Sequence, residues 1–355
     1  MLMTYGWNDD FQRDFDSLTD TEGLEPGRVI EQQRGLYRVV IDGGEVSAQV
    51  SGRFAFDAAP GDYPVTGDWV ALAARPDEGA GTIQHVLKRA TAFQRKAPLT
   101  GALQVVAANL DVALLVTSLN GDLNPRRIER YLAAARESGA EPVIVLTKAD
   151  ACDDADARRA KIEAVAGGAA IYVVSSLTGA GMAEFSAHLK PGKTAALLGS
   201  SGVGKSTLVN ALAGADVMAT RAISGDDKRG RHTTTHRELI LLPSGALLLD
   251  SPGMRELGLW DAEQGVSATF EDVETLINSC RFGDCQHRRE PGCAVRAALE
   301  SGELEEGRWG SYQKLQRELA FEARKEDPAL KAAATKRWAK VHKNARERMK
   351  FKGKY

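Results

Sequence analysis

From Gly27 to about Arg89, apolar residues come in short alternating runs separated by turn residues. Leu36-Tyr37-Arg38-Val39-Val40-Ile41 leads through Asp42-Gly43-Gly44 into Val46-Ser47-Ala48-Gln49-Val50, which predicts a β-hairpin. Gly67-Asp68-Trp69-Val70-Ala71-Leu72 and Thr82-Ile83-Gln84-His85-Val86 read as further strands. Several short strands in roughly sixty residues predict a small barrel of the OB type. From about Asn109 the pattern changes. Apolar runs at Val112–Val116, Val143–Leu146, Ile171–Val174, Thr194–Leu198 and Ala246–Leu249 are separated by helical stretches at Pro125–Ser138, Ala157–Ala166 and Thr207–Ala213. Strands alternating with helices predict an α/β domain with a parallel sheet covered on both faces. Beyond about Gly265 the pattern is helical. The stretch up to Thr21 is polar and acidic with scattered aromatics and reads as a loose arm. The expected division is an acidic arm at 1–24, an OB-like barrel at 25–90, an α/β domain at 91–264, a helical domain at 265–328 and a basic tail at 329–355.

A chain of 355 residues that is 43% hydrophobic and 26% charged supports ordinary buried cores. That excludes a disulfide miniprotein, a collagen-like repeat and a wholly disordered chain. No run of eighteen apolar residues occurs, so no membrane-spanning helix is expected. The acidic N-terminal stretch has no signal-peptide core, which points to the cytoplasm. The net charge of -2 hides an asymmetry. Tyr312 to Tyr355 holds 14 Lys and Arg against 5 Asp and Glu, so the rest of the chain is strongly acidic. A localised basic end suggests a polyanion contact there.

Gly199-Ser200-Ser201-Gly202-Val203-Gly204-Lys205-Ser206 fits G-x-x-x-x-G-K-[ST] between a strand and a helix that begins near Thr207. The glycines let backbone N–H groups curl around a phosphate at a helix N-terminus. Lys205 is expected on the β- and γ-phosphates and Ser206 on Mg²⁺. Asp250-Ser251-Pro252-Gly253 closes the apolar strand before it. Its carboxylate suits Mg²⁺ and the Gly253 N–H suits the γ-phosphate. Between the two lies Arg231-His232-Thr233-Thr234-Thr235-His236, a hydroxyl-rich segment of switch character. One of its threonines, taken as Thr234, would complete the Mg²⁺ shell. Thr147-Lys148-Ala149-Asp150 also follows a strand. Asp150 can accept from the two donors on the guanine edge, a pair adenine lacks, so the motif selects GTP. Ser175 and Ser176, ending the next strand, would bring a backbone N–H to guanine O6.

These motifs occur in permuted order, with the base motifs ahead of the phosphate loop. Cyclic reordering preserves a sheet when the original ends can be joined. In this order, and in TKAD at 147–150, GSSGVGKS at 199–206, RHTTTH at 231–236, DSPG at 250–253 and CRFGDCQHRREPGC at 280–293, the sequence resembles the RsgA family of circularly permuted GTPases (ribosome small subunit-dependent GTPase A). The resemblance covers about 27–319. It implies an OB-like domain, a permuted GTPase domain at 91–264 and a zinc-binding domain, in that order. It further implies binding to the 30S subunit and 16S rRNA, and hydrolysis of GTP to GDP in late small-subunit maturation. That hydrolysis would be stimulated by the subunit and act as a release switch. Thr147 departs from the general GTPase pattern, where an asparagine braces the base loop, and predicts a modest nucleotide affinity. Met254 follows Gly253 where many GTPases carry a water-orienting glutamine. The resemblance favours His232 for that task, with His236 second.

Cys280-x₄-Cys285-x-His287-x₅-Cys293 offers a Cys₃His set suited to tetrahedral Zn²⁺, and a full protein shell makes the metal structural. Arg281, Arg288, Arg289 and Arg296 lie near it. Trp338 and Phe351 stand among the basic residues of the tail, a pattern that suits RNA. The expected molecule is a monomeric GTPase with Mg²⁺ and one zinc, and no membrane contact. A P-loop kinase would need an acceptor pocket, for which no spare cluster is found. An RNA-binding protein with a merely structural nucleotide domain conflicts with intact Lys205, Ser206 and Asp250.

Overall fold

Tyr37, Val39 and Ile41 alternate inward on one strand, and Val46 and Ala48 do so on the next. The computed structural model describes residues 1–33, 35–59, 61–96, 103–120, 123–216, 237–250 and 262–326. Five strands, β1 (Glu25–Gln33), β2 (Leu36–Ile41), β3 (Gly44–Val50), β4 (Trp69–Arg75) and β5 (Ala80–Val86), run in the order β1-β2-β3-β5-β4. Pairing of β1 with β4 closes them into the expected barrel. Val29, Val70, Leu72 and Ile83 complete its core.

A hairpin of β6 (Ala92–Lys96) and β7 (Leu103–Ala108) follows, which the alternation had not marked. Next come β8 (Val112–Ser118), β9 (Glu141–Thr147), β10 (Ala170–Val173), β11 (Thr194–Leu198), β12 (Arg237–Leu241) and β13 (Leu247–Asp250). The order β10-β9-β8-β11-β13 is parallel throughout, and β12 adds an antiparallel strand beside β13. All seven residues of β8 are buried, because both faces are covered. Ala113 and Leu115 face a cluster holding Ile128, Leu132 and Ile162 of the helices Pro125–Glu137 and Ala155–Ala166. Leu114 and Val116 face Phe185, Leu208 and Val209 of the helices Met182–His188 and Lys205–Ala213.

Barrel and nucleotide sheet are one eleven-stranded sheet, because β1 also pairs with β12. Arg28 of β1, where that strand pairs with β4, is buried. Its guanidinium donates to the Asn109 carbonyl at 3.1 Å and to Thr194 Oγ1 at 2.8 Å, and also to the Tyr5 carbonyl. Burial lowers its pKa to about 10, so it remains a cation at neutral pH.

The N-terminal arm is not loose. Asn8 caps a helix at Asp9–Asp16, accepting from the Asp10 and Phe11 N–H groups. Trp7 and Phe11 place their rings 4.8 and 5.5 Å from that of Trp69. Trp7, Phe11 and Phe15 are four residues apart, so the aromatic stripe outweighs the acidic composition.

The chain divides into two compact units, Met1–Gly258 and Leu259–Tyr355. The second carries helices at Glu263–Thr269, Glu271–Asn278, Ala294–Ser301 and Glu306–Glu326. No helix among the described residues is long and apolar enough to cross a membrane.

Candidate nucleotide and metal sites

The phosphate loop links the carboxyl end of β11 to the helix that starts at Lys205, two residues earlier than the pattern suggested. Gly202 and Gly204 have φ of +81° and +94°, where a side chain would be strained. Gly199 is required for space, since a Cβ there would lie 2.3 Å from the Val116 carbonyl oxygen. The Lys205 ammonium donates to the carbonyls of Gly199 and Ser200 at 2.7 and 2.5 Å, so it lies along the loop. Val203 is buried, Ser200 and Ser206 are half-buried, and Ser201 and Thr207 are exposed. Leu249 of β13 pairs with Ala196 of β11, so Asp250 ends its strand beside the entry to the loop.

The base motif is tied to this loop from the other side. Thr147, buried at the end of β9, donates from Oγ1 to the Val203 carbonyl at 2.5 Å, with the Thr117 carbonyl at 3.3 Å. The Lys148 ammonium donates to the Gly202 carbonyl at 2.7 Å, and Lys148 itself takes a left-handed conformation with φ of +60°. A brace that asparagine usually supplies is therefore made here by a threonine hydroxyl. Ser175 donates from Oγ to Asp150 Oδ1 at 2.5 Å, holding the exposed carboxylate in place. The Ser175 N–H is committed to the Ala180 carbonyl at 2.9 Å, so it is not the donor for a base oxygen. The Ser176 hydroxyl lies 4.0 Å from the Met182 sulfur. Lys148, Asp150, Thr147, Ser175 and the loop 199–206 are thus brought to one end of the sheet. His232, Thr234 and Gly253 lie outside the described residues, as do Met254 and the tail with Trp338 and Phe351.

In the second unit, Cys280, Cys285, His287 and Cys293 bring their ligand atoms within 4.8 Å of one another. His287 Nδ1 is 3.5 Å from both Cys280 Sγ and Cys293 Sγ. Cys293 is the N-cap of the helix Ala294–Ser301, and its sulfur accepts from the Arg296 N–H at 3.4 Å. Burial raises the Cys280 thiol, but the Val295 and Ala294 N–H groups outweigh it and hold it below the usual range. Cys285 is pushed up to about 11, by burial first and then by the neighbouring sulfurs. Three sulfurs this close cannot all ionise without a cation between them, so the donor set fits a divalent, thiophilic metal.

Sequence reasoning passed over Glu290, which folds the loop around His287. Its carboxylate accepts the N–H groups of Gln286, Arg288 and Arg289 at 3.1, 2.7 and 2.9 Å. Its own N–H and those of Arg288 and Arg289 hold its pKa at about 2. The one available signal was a lone carboxylate within a run of basic residues.

The family model described as RsgA GTPase matches residues 86–260. The small ribosomal subunit biogenesis GTPase RsgA of Opitutus terrae is 45% identical over 365 aligned positions, covering 100% of this chain and 99% of its own. The small ribosomal subunit biogenesis GTPase RsgA 1 of Listeria innocua is 43% identical and covers 100% and 99%. Among solved structures, YjeQ from Thermotoga maritima superposes with a TM-score of 0.63 at 29% identity, covering 83% of this chain and 98% of its own. YloQ, described as a circularly permuted GTPase, gives 0.61 at 27% identity, covering 85% and 97%.

Proposed function

Because this chain belongs to the RsgA GTPase family, we propose that it is a GTPase of small ribosomal subunit biogenesis whose hydrolysis releases it from the subunit. The observation that carries this reading is the bracing of the base loop onto the phosphate loop through Thr147 and Lys148. Guanine recognition at Asp150 and phosphate binding at Lys205 then become one event, as a nucleotide switch requires.

Backbone N–H groups of residues 199 to 204 and the helix N-terminus receive the phosphates, and Thr207 stands exposed in the first turn of that helix. Lys205 exchanges its loop carbonyls for the β- and γ-phosphate oxygens. Ser206, Asp250 and Thr234 are the residues to hold magnesium. The first two fit that role by chemistry, a hydroxyl and a carboxylate being hard oxygen donors, and Asp250 ends the strand that pairs with the one leading into the loop. Magnesium held there would supply neutralisation of the charge on the phosphates. Gly253 donates to the γ-phosphate, and Ser176 contributes its N–H to guanine O6. His232 orients the attacking water in place of a glutamine.

In the second unit Cys280, Cys285, His287 and Cys293 hold a structural zinc. The partner is the 30S subunit through its 16S rRNA, met in part by the basic tail at 329–355. The protein works in the cytoplasm as a monomer that cycles between GTP and GDP. Measuring GTP hydrolysis with 30S subunits, with 50S subunits and alone tests this. Stimulation by 30S alone is expected, and equal rates in all three would refute the partner assignment.

A further inference from the structure

The seam between barrel and nucleotide sheet is short and electrically unfavourable by itself. Among the described residues, β1 meets β12 over two register pairs, Glu31 with Glu238 and Gln32 with Arg237. The first sets two carboxylates directly opposite each other, an arrangement that destabilises an antiparallel ladder. Arg38 offsets this repulsion. Arg38 stands opposite Glu31 in the adjoining β1–β2 ladder. Its guanidinium lies 3.2 Å from the Glu31 carboxylate and 3.7 Å from that of Glu45, and it donates a hydrogen bond to Glu238.

The row continues past the seam, because Glu238 pairs with Asp250 at the end of β13. A single lateral row therefore runs through Arg38, Glu31, Glu238 and Asp250, from the barrel to the strand end beside the phosphate loop. In sequence, residues 231–236 lead directly into Arg237 and Glu238.

We propose that Arg38, a barrel residue outside every nucleotide-binding motif, is a positioning residue for GTP hydrolysis, acting by clasping Glu238 and thereby fixing the backbone at Asp250. This rests on the role assigned to Asp250 above. The bonds joining the base loop to the phosphate loop come from Thr147 and Lys148 and involve neither β1 nor β12. Hydrolysis and nucleotide affinity should therefore respond separately to loss of the clasp. A residue that merely held the fold together would move both.

The experiment compares the parent chain with Arg38→Glu, the milder Arg38→Gln, and the charge swap Arg38→Glu with Glu238→Arg. Single-turnover GTP hydrolysis and the affinity for a fluorescent GDP are measured for each. Charge reversal is expected to lower the hydrolysis rate roughly three- to tenfold while GDP affinity changes less than about twofold. Arg38→Gln should show a smaller loss of the same kind, and the swap should restore most of the rate. Three results overturn the proposal: unchanged hydrolysis in both single variants, hydrolysis and GDP affinity falling together, or a swap that restores nothing. A parent chain that does not hydrolyse GTP would sink the GTPase reading itself, whereas an active parent with unaffected variants sinks only the clasp.

Discussion

Thr147 replaces a longer amide in the base motif, yet its hydroxyl reaches the Val203 carbonyl at 2.5 Å from a fully walled position. Thr147 and Lys148 pack against Gly204, whose φ of +94° is where a side chain would be strained. Thr147→Val keeps the shape and removes the donor, leaving a buried carbonyl without this partner. An unmade buried hydrogen bond costs about 1–3 kcal/mol, so GDP affinity should fall about ten- to hundredfold, measured by equilibrium titration. Asp150 allows a sharper test. Ser175 already donates to its Oδ1, leaving Oδ2 as the oxygen that Asp150→Asn turns into an amide donor facing the guanine amino group. The variant should lose about ten- to hundredfold in GTP affinity and gain affinity for XTP, whose carbonyl can accept from that amide. Competition titrations with the two nucleotides would reveal the exchange, and unchanged GTP binding would remove the base assignment.

At the scale of elements, the second unit is held partly by one ion pair between helices. Arg308, at the start of Glu306–Glu326, donates from Nε and Nη2 to both carboxylate oxygens of Asp272, each at 2.6 Å. Burial raises the Asp272 pKa, but the Arg308 hydrogen bonds and charge outweigh it and the net shift is downward. A depressed carboxylate contributes stability above its unfolded pKa of about 3.9 and loses it as pH falls through the folded value. The melting temperature of this unit should therefore fall on acidification below about pH 4, and Asp272→Asn should flatten that part of the pH profile.

What could be read beforehand follows from how local each signal is. The strand, glycine loop and helix of 194–213 are contiguous, so their chemistry lies in one stretch of sequence. β8 and β9 announced themselves as unbroken apolar runs. β12 begins with Arg237 and Glu238, whose partners are a distant arginine and a distant strand, so it offered no alternation to detect. The Thr147 brace joins residues 56 apart in sequence, and no spacing rule reaches that far. Trp7, Phe11 and Phe15 did carry a helical period, but the acidic residues between them masked it.

For the whole molecule, the Cys₃His cluster falls in one unit and the phosphate and base loops in the other. Chelating the metal, or replacing Cys285 with Ser, should raise hydrogen exchange through 280–293 and the flanking helices. GDP affinity should stay within about twofold, because structural zinc stabilises the part of the chain that folds around it. Loss of nucleotide binding with an intact first unit would contradict this.

The junction of β1 with both β4 and β12 also has a consequence for the order of synthesis. All five barrel strands have been made once Val86 is complete, whereas β12 begins at Arg237. Vectorial folding lets the barrel close long before its neighbour in the sheet exists. For that interval the far end of β1 is a bare edge, able to pair with any other nascent chain. Glu31, Arg38 and Glu45 stand on or beside it, and charges on an edge are how strands avoid such encounters. The residues that clasp the finished sheet would thus have guarded it while it was half made.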